Sequence, residues 1–292
     1  MASSSITKGA TGMGIVTATL AYYMHVKTVD EVPFTKRRRH LVTSQEYEAK
    51  VGAMAVRSTL KSAKVLPSDH AASVTVRSIG ERLAAHAPAS VGGPKKWSFT
   101  VVSDKNQPNA FASPPNHVVL YSGMFKYGRT EDEIASVIAH EMGHVLCRHT
   151  GEKLSDEIMG SAGVTLLSQL ASTVFGIGAG AAYEWLSVGR GLVLTRPNSR
   201  NMEREADYVG LKLIGGACFD VNAASNTFRR MQAEQGTNSA AAGYLSTHPG
   251  HGERVKNMSA WAKEVIRENK GREGECAEIR RRWELARRGN KI

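Results

Sequence analysis

The stretch Thr130-Glu131-Asp132-Glu133-Ile134-Ala135-Ser136-Val137-Ile138-Ala139-His140-Glu141-Met142-Gly143-His144-Val145-Leu146 decides how the rest of the chain is read. Thr130 followed three residues later by Glu133 predicts a capping box, and the acidic first turn suits the positive end of a helix dipole. Ile134, Val137, Ile138, Val145 and Leu146 spread apolar side chains around several faces, as on a buried helix. His140 and His144 stand four apart and so project from one face, where both imidazoles can ligate a single ion. Glu141 lies beside them, placed to take a proton from a water activated by that ion. Gly143 alone disfavours the helix, by about 1 kcal/mol relative to alanine. Gly151 offers the stop.

The pattern H-E-x-x-H arises by chance in roughly two chains per hundred of this size, so a third ligand must decide whether it means anything. An extended motif would need Gly and His downstream, but Cys147 and Thr150 stand there. On a continuing helix His149 would sit about 140° from His144, off the metal face. A carboxylate from a second helix is the alternative. Pro197-Asn198-Ser199-Arg200-Asn201-Met202-Glu203-Arg204-Glu205-Ala206-Asp207 supplies candidates. Glu203 and Asp207 are four apart and share a face, so one can bind the ion while the other orients a ligand imidazole. Glu205 points elsewhere and is the reserve candidate.

The rest of the chain is read around this pair of helices. Of 292 residues, 41% are hydrophobic and 22% charged, an ordinary globular balance. The formal net charge of +11 favours anionic surfaces, yet no nucleic-acid-binding signature accompanies it. Gly9 to Val26 is an 18-residue run without Asp, Glu, Lys or Arg, bounded by Lys8, Lys27 and the cluster Lys36-Arg37-Arg38-Arg39. It reads as a membrane anchor, a cleaved targeting segment or a poorly ordered terminus. Leu41 to about Ala87 suits helices, and Gly92-Gly93-Pro94 punctuates. Trp97–Val102 alternates like a strand. Asn109–Phe111 and Val118–Tyr121 flank a turn at Pro114-Pro115-Asn116. A second uncharged run, Ile158 to Tyr183, is 26 residues long. A single crossing there would separate His144 from the carboxylates near residue 200, so a helical pair that is buried or touches a membrane from one side is expected. Cys147, Cys218 and Cys276 form no Cys-x-x-Cys pair, and no disulfide framework is readable. The tail beyond Ala262 is a charged helix bearing Arg280-Arg281-Arg282 and Arg287-Arg288.

Five segments together resemble the HtpX and CAAX-prenyl-endopeptidase family of membrane-associated zinc peptidases, and its Oma branch most. They are Val32–Arg38, Asn109–Ala112, His140–His149, Pro197–Asp207 with Gly210–Leu213, and Leu245-Ser246-Thr247-His248-Pro249. The resemblance implies His140, His144 and Glu203 as ligands of one Zn2+, Glu141 as general base and Asp207 as the partner of a ligand histidine. It implies that the strand Val118, Val119, Leu120, Tyr121 takes up substrate as an added β-strand. It also places His248 near the ion, as a stabiliser of the oxyanion or an occupant of the open ligand position, with Arg254 assisting. His117, His149 and His251 are read as structural or surface residues. The family has Pro-Gly-Gly where this chain has Pro114-Pro115-Asn116, a change that bears on the entrance to the cleft.

The expected fold is α+β: a mainly helical zincin-like (gluzincin) domain with one small sheet beside the metal helix. Residues 1–40 form a targeting or anchor segment, 41–262 the metallopeptidase domain and 263–292 a basic helix. The expected activity is zinc-dependent endopeptidase action on membrane or membrane-proximal proteins, in mitochondrial quality control or processing. A non-catalytic, zinc-stabilised membrane-associated assembly protein is the alternative. Expected partners are protein or peptide substrates and a membrane, with self-association open and nucleic acid not expected. The expected location is the mitochondrial inner membrane, or else another membrane.

Overall fold

The computed structural model describes Val26, residues 28–88, 96–175, 195–233, Tyr244, His248 and residues 251–289. The run Gly9–Val26 lies outside these residues except for its last member. Gly92-Gly93-Pro94, Leu245–Thr247, Pro249 and residues 176–183 of the second uncharged run lie outside them too. In chain order the elements are β1 (Val29–Glu31), β2 (Arg38–His40), α1 (Gln45–Ser62), α2 (Ala71–Ala84), β3 (Ser98–Val102), β4 (Ala110–Ser113) and β5 (His117–Tyr121). They continue with α3 (Glu131–Leu146), α4 (His149–Phe175), α5 (Thr195–Gly216), α6 (Ala223–Ala233), α7 (His251–Glu268) and α8 (Glu273–Gly289). The class is α+β and mainly helical, as the sequence predicts. α7 runs through Ala262 without a break.

The chain forms two compact units. One comprises residues 1–45 and 151–187, the other 46–150 and 188–292. In the first, β1 and β2 pair antiparallel, with Val29 opposite His40 and Glu31 opposite Arg38. Arg37 grips Glu152 of α4 with two hydrogen bonds of 2.7 Å. Arg39, buried, reaches Glu152 at 3.4 Å and Asp30 at 3.0 Å. Half of the basic cluster read as a membrane flank is therefore engaged by carboxylates, while Lys36 and Arg38 are exposed. Residues 158–175 are helical, and no helix among the described residues is long and apolar enough to cross a membrane.

In the second unit the three-stranded sheet has the order β3-β5-β4, parallel between β3 and β5 and antiparallel between β5 and β4. This corrects the expectation for Val118, Val119, Leu120 and Tyr121. They form the central strand, with Thr100 opposite Val119 on one side and Phe111 opposite Val119 on the other. Both edges are taken, so no further strand can add there. Beyond β3 the segment at Val65 bridges Val102. The outer edge belongs to β4, which packs on α3. The three-residue connection between β4 and β5 ends on Asn116 at φ 70°, a conformation that suits Gly or Asn. Asn116 thus supplies the positive φ that this connection adopts.

α3 begins as predicted. Thr130 Oγ1 accepts from the Glu133 amide at 3.2 Å and the Glu133 carboxylate accepts from the Thr130 amide at 3.2 Å. Arg230 of α6 also grips Glu133. Burial works against the Glu133 charge, but Arg230 and the amides of Arg129 and Thr130 outweigh it and hold the carboxyl below its ordinary value. The helix ends earlier than the expected stop at Gly151. Its last residue is Leu146, and Arg148 turns the chain with φ 54° while its guanidinium forks onto Glu48 at 2.6 and 3.3 Å. A left-handed arginine can replace a glycine stop when such a partner fixes it.

α3 packs closely on α5. A Cβ on Gly143 would lie 2.7 Å from the Ala206 carbonyl oxygen, and one on Gly210 would lie 3.1 Å from the His140 backbone nitrogen. The helix penalty at Gly143 is therefore the condition for backbone-to-backbone approach. The end of α5 is tied to α8 by a Cys218–Cys276 disulfide, which corrects the cysteine reading: the 58-residue separation leaves no local motif to recognise. Cys147, at the end of α3, is buried and not disulfide-bonded, matching its reading as a small apolar residue.

Gly143→Ala should destabilise the protein by about 1–2 kcal/mol in urea denaturation, because overpacking against a carbonyl exceeds the helix-propensity gain. Glu133→Ala should cost about 1–3 kcal/mol near neutral pH. Since the folded carboxyl is held low, its contribution is complete above the ordinary glutamate range and fades as pH falls through the lower folded value. Urea midpoints of wild type and variant should converge in acid.

Candidate active site

α3 presents His140 and His144 on its buried face, and α5 brings Glu203 to meet them. His248 enters from one further turn, its amide donating to the Tyr244 carbonyl at 3.0 Å. The two Nε2 atoms of His140 and His144 are 3.1 Å apart. His140 Nε2 lies 3.3 Å from Glu203 Oε2, and His144 Nε2 lies 3.4 Å from Glu203 Oε1. His248 Nδ1 is 3.2 Å from His140 Nε2 and 2.9 Å from Glu203 Oε2. One donor atom from each of the four residues falls within 4.8 Å of the others.

These spacings test whether the residues fit a metal. A tetrahedron with metal–nitrogen and metal–oxygen bonds near 2.0–2.1 Å has edges of about 3.3–3.4 Å. Five contacts of 2.9–3.4 Å come near that length, Glu203 meeting His140 and His248 through Oε2 and His144 through Oε1, and the four donors as a set lie within 4.8 Å. Nitrogen and carboxylate donors are also the types that zinc takes. His140, His144, Glu203 and His248 could thus hold such an ion.

The surrounding groups orient this set. His140 Nδ1 is 2.9 Å from Asp207 Oδ1, leaving Nε2 facing the cluster. Asp207 is held by a fork from Arg254, with Nε and Nη2 each at 2.7 Å. Arg254 Nη1 lies 3.0 Å from Glu203 Oε2 and donates to the His248 carbonyl at 3.2 Å. Its guanidinium also covers the Phe228 ring at 4.5 Å. Arg254, read from sequence as an assistant to His248, is the hub of the buried charges. His144 Nδ1 faces His149 Nδ1 at 2.8 Å, and His149 Nε2 faces Glu205 Oε2 at 3.1 Å.

Burial alone would discharge His140, but hydrogen bonds to Asp207 and Glu203 overcome it and push its pKa up to about 9. For His144 burial wins, aided by the neighbouring histidines, and holds it well below its ordinary value despite the Glu203 charge. Burial opposes ionisation of Glu203, yet hydrogen bonds from His140 and His248 and the field of the surrounding imidazoles hold its carboxyl well below the usual range. Asp207 is likewise lowered: burial opposes the charge, and Arg254 outweighs it. The carboxylates thus draw positive charge into the site, a demand that a divalent cation meets.

Glu141, beside the donor set, is buried. The Tyr244 hydroxyl donates to its Oε1 at 3.3 Å, and His248 Nε2 is 3.5 Å from the same oxygen. Burial, with the Glu141 charge, raises the Tyr244 pKa well above its ordinary value and keeps the phenol protonated. Its ring stacks on His248 at 4.4 Å. Sequence reasoning missed Tyr244; the signal was its place four residues before His248, one helical turn away.

The structure therefore brings together Glu141, His140, His144, Glu203, Asp207, His248 and Arg254. It does not bring Val118–Tyr121 to the cluster as an open strand. Glu205 serves His149 instead of the donor set. His117 bonds Thr100 Oγ1 at 2.8 Å in the sheet, as a structural residue would.

A family model described as peptidase family M48 matches residues 71–262. The chain is 32% identical over 246 residues to the mitochondrial metalloendopeptidase OMA1 of Schizosaccharomyces pombe, covering 84% of this chain and 68% of that protein. It is 34% identical over 255 residues to the mitochondrial metalloendopeptidase OMA1 of Saccharomyces cerevisiae, covering 83% and 70%. The protein of the same name from Arabidopsis thaliana is 31% identical over 177 residues, 60% of this chain and 33% of its own length.

Arg254→Leu strips the positive partner from two buried carboxylates. It should destabilise the fold by about 3–5 kcal/mol in chemical denaturation. An effect under 1 kcal/mol would contradict the hub role.

Proposed function

The chain belongs to peptidase family M48 and is a metalloendopeptidase, and we propose that it is zinc-dependent and cleaves membrane or membrane-proximal proteins at the mitochondrial inner membrane. The observation that carries the zinc reading is the convergence of three imidazoles and the Glu203 carboxylate, with one donor atom from each within 4.8 Å of the others, beside the buried Glu141. His140, His144 and Glu203 are the resident ligands in this reading. His248, with Nδ1 2.9 Å from Glu203 Oε2, would complete the donor set. When bound, the ion supplies Lewis acidity toward a peptide carbonyl and lowers the pKa of the attacking water.

The chain's own residues do the rest. Glu141 takes the proton of the attacking water and delivers it to the leaving amine nitrogen. Tyr244, donating to Glu141 Oε1, aims that carboxylate and keeps its second oxygen for the proton. His248, once turned from Glu203, reaches the oxyanion side of the tetrahedral intermediate. Asp207 and Arg254 keep His140 and Glu203 aimed inward. An extended substrate is received by the outer edge of β4, Ala110–Ser113, because β5 has none to offer.

The names of the relatives from two yeasts and Arabidopsis support a mitochondrial setting. The uncharged Gly9–Val26 run supports an anchor within a segment of residues 1–40, ahead of a metallopeptidase domain at 41–262 and a basic tail at 263–292. Quality control or processing of neighbouring proteins is the role that fits this placement.

Metal analysis combined with casein cleavage tests the reading. Wild type and Glu141→Gln should each carry one zinc per chain, and the variant should lose activity by about 10²- to 10⁴-fold. Chelation should abolish wild-type cleavage and zinc should restore it. Zinc in both proteins with cleavage in neither would instead favour a non-catalytic assembly role.

A further inference from the structure

Each of the two α3 histidines has an outer partner on its Nδ1, and the partners differ. His140 uses Asp207 directly. His144 uses a second histidine backed by a carboxylate, in the order His144–His149–Glu205. From this geometry we infer that His149 and Glu205 are positioning residues for the metal site, acting through His144. The inference rests on the reading of His144 as a zinc ligand.

With His144 as a ligand through Nε2, hydrogen-bond geometry assigns the protons along this chain. His144 turns Nε2 toward the donor set, so its ring proton resides on Nδ1. Across the 2.8 Å contact, His149 Nδ1 must then accept. A neutral His149 that accepts at Nδ1 carries its proton on Nε2, and that atom faces Glu205 Oε2 at 3.1 Å. The chain thus reaches a carboxylate acceptor, and each link orients the tautomer of the next. The reverse assignment would put the His144 proton on the nitrogen that faces His140 and Glu203, removing it as a donor. His149 and Glu205 are both buried, so water does not substitute readily for either.

The backbone is shaped for this contact. Had α3 continued, His149 would lie about 140° around from His144. The turn at Arg148 brings it back, with ring centroids 4.9 Å apart. A left-handed arginine costs on the order of 1–3 kcal/mol, and its fork onto Glu48 holds it there. On α5, Glu203 and Asp207 address His140 while Glu205, two residues from each, addresses His149. One helix thereby supports both ligand histidines of the other.

The test is zinc affinity by chelator competition, together with the visible spectrum of the cobalt-substituted full-length protein. His149→Phe keeps the ring shape but cannot accept from His144. It should weaken zinc binding about 10- to 100-fold and shift the cobalt bands. His149→Asn, whose Oδ1 can accept near the original Nδ1, should recover part of the affinity. Glu205→Leu should weaken binding in the same direction while leaving both histidines in place. A merely structural role would lower the melting temperature of the metal-free protein and leave the affinity of its folded fraction unchanged. That pattern, affinity within twofold of wild type in His149→Phe and Glu205→Leu, or no difference between Phe and Asn, would overturn the inference. His144→Ala separates this from its premise: if zinc binds that variant as it binds wild type, the ligand reading itself fails, and the inference with it.

Discussion

The site depends on how closely two helices approach. Gly143 on α3 meets the Ala206 carbonyl, and Gly210 on α5 meets the His140 backbone, in places where a Cβ would come within about 3 Å. Imidazole and carboxylate side chains have fixed reach, so this backbone separation determines whether Glu203 arrives at the two Nε2 atoms. A wider gap would leave the carboxylate short and the donors too far apart for 2 Å bonds. The residue that looks least suited to a helix is thus the one the metal geometry requires. Propensity is a weak local preference, and here tertiary packing overrides it.

That close contact carries a concentration of buried charge that must be balanced on the spot. Glu203, Asp207 and Glu141 lie almost wholly out of solvent, and Arg254 is the cation that touches two of them. Unpaired, each carboxylate would forfeit several kcal/mol of hydration. The Arg254 fork orders Asp207, Asp207 orders His140, and Phe228 limits where the guanidinium can sit. Orientation and charge balance come from the same contacts, so the first cannot be altered without disturbing the second.

Much of this was legible in the sequence because it is local. The capping box, the i,i+4 histidines and the i,i+4 pair Glu203 and Asp207 all follow from helical periodicity, and α3 starts where Thr130 predicts. What escaped is non-local or depends on a single backbone angle. The end of α3 turns on the φ of Arg148, which residue type does not foretell. Extrapolating the helix through it misplaced His149. The rank of β5 in its sheet depends on β3, some twenty residues earlier, so a strand that reads as accessible proved central. The Cys218–Cys276 bond and the Tyr244–Glu141 contact join positions with no shared pattern.

Composition misleads for a related reason. A net charge of +11 counts every basic residue alike, yet several of the arginines are committed to fixed partners. Arg254 serves the carboxylates of the site, Arg230 clamps the start of α3, and Arg148 fixes its end. Arg82 spends its donors on the Ala217 and Cys218 carbonyls at 2.7 and 2.8 Å and covers the Phe219 ring at 3.8 Å. In the other unit, Arg37 and Arg39 are committed to Glu152 and Asp30. Arginine suits these posts because its fork can satisfy a carboxylate or two carbonyls at once and stays charged when buried. Charge committed in this way contributes little field for an anionic partner, and the exposed Arg281 and Arg282 of α8 share Glu278 besides. An arginine paired with a carboxylate cancels in the net count, so the excess of +11 resides in the other basic side chains, and these pairs report how the helices are fastened.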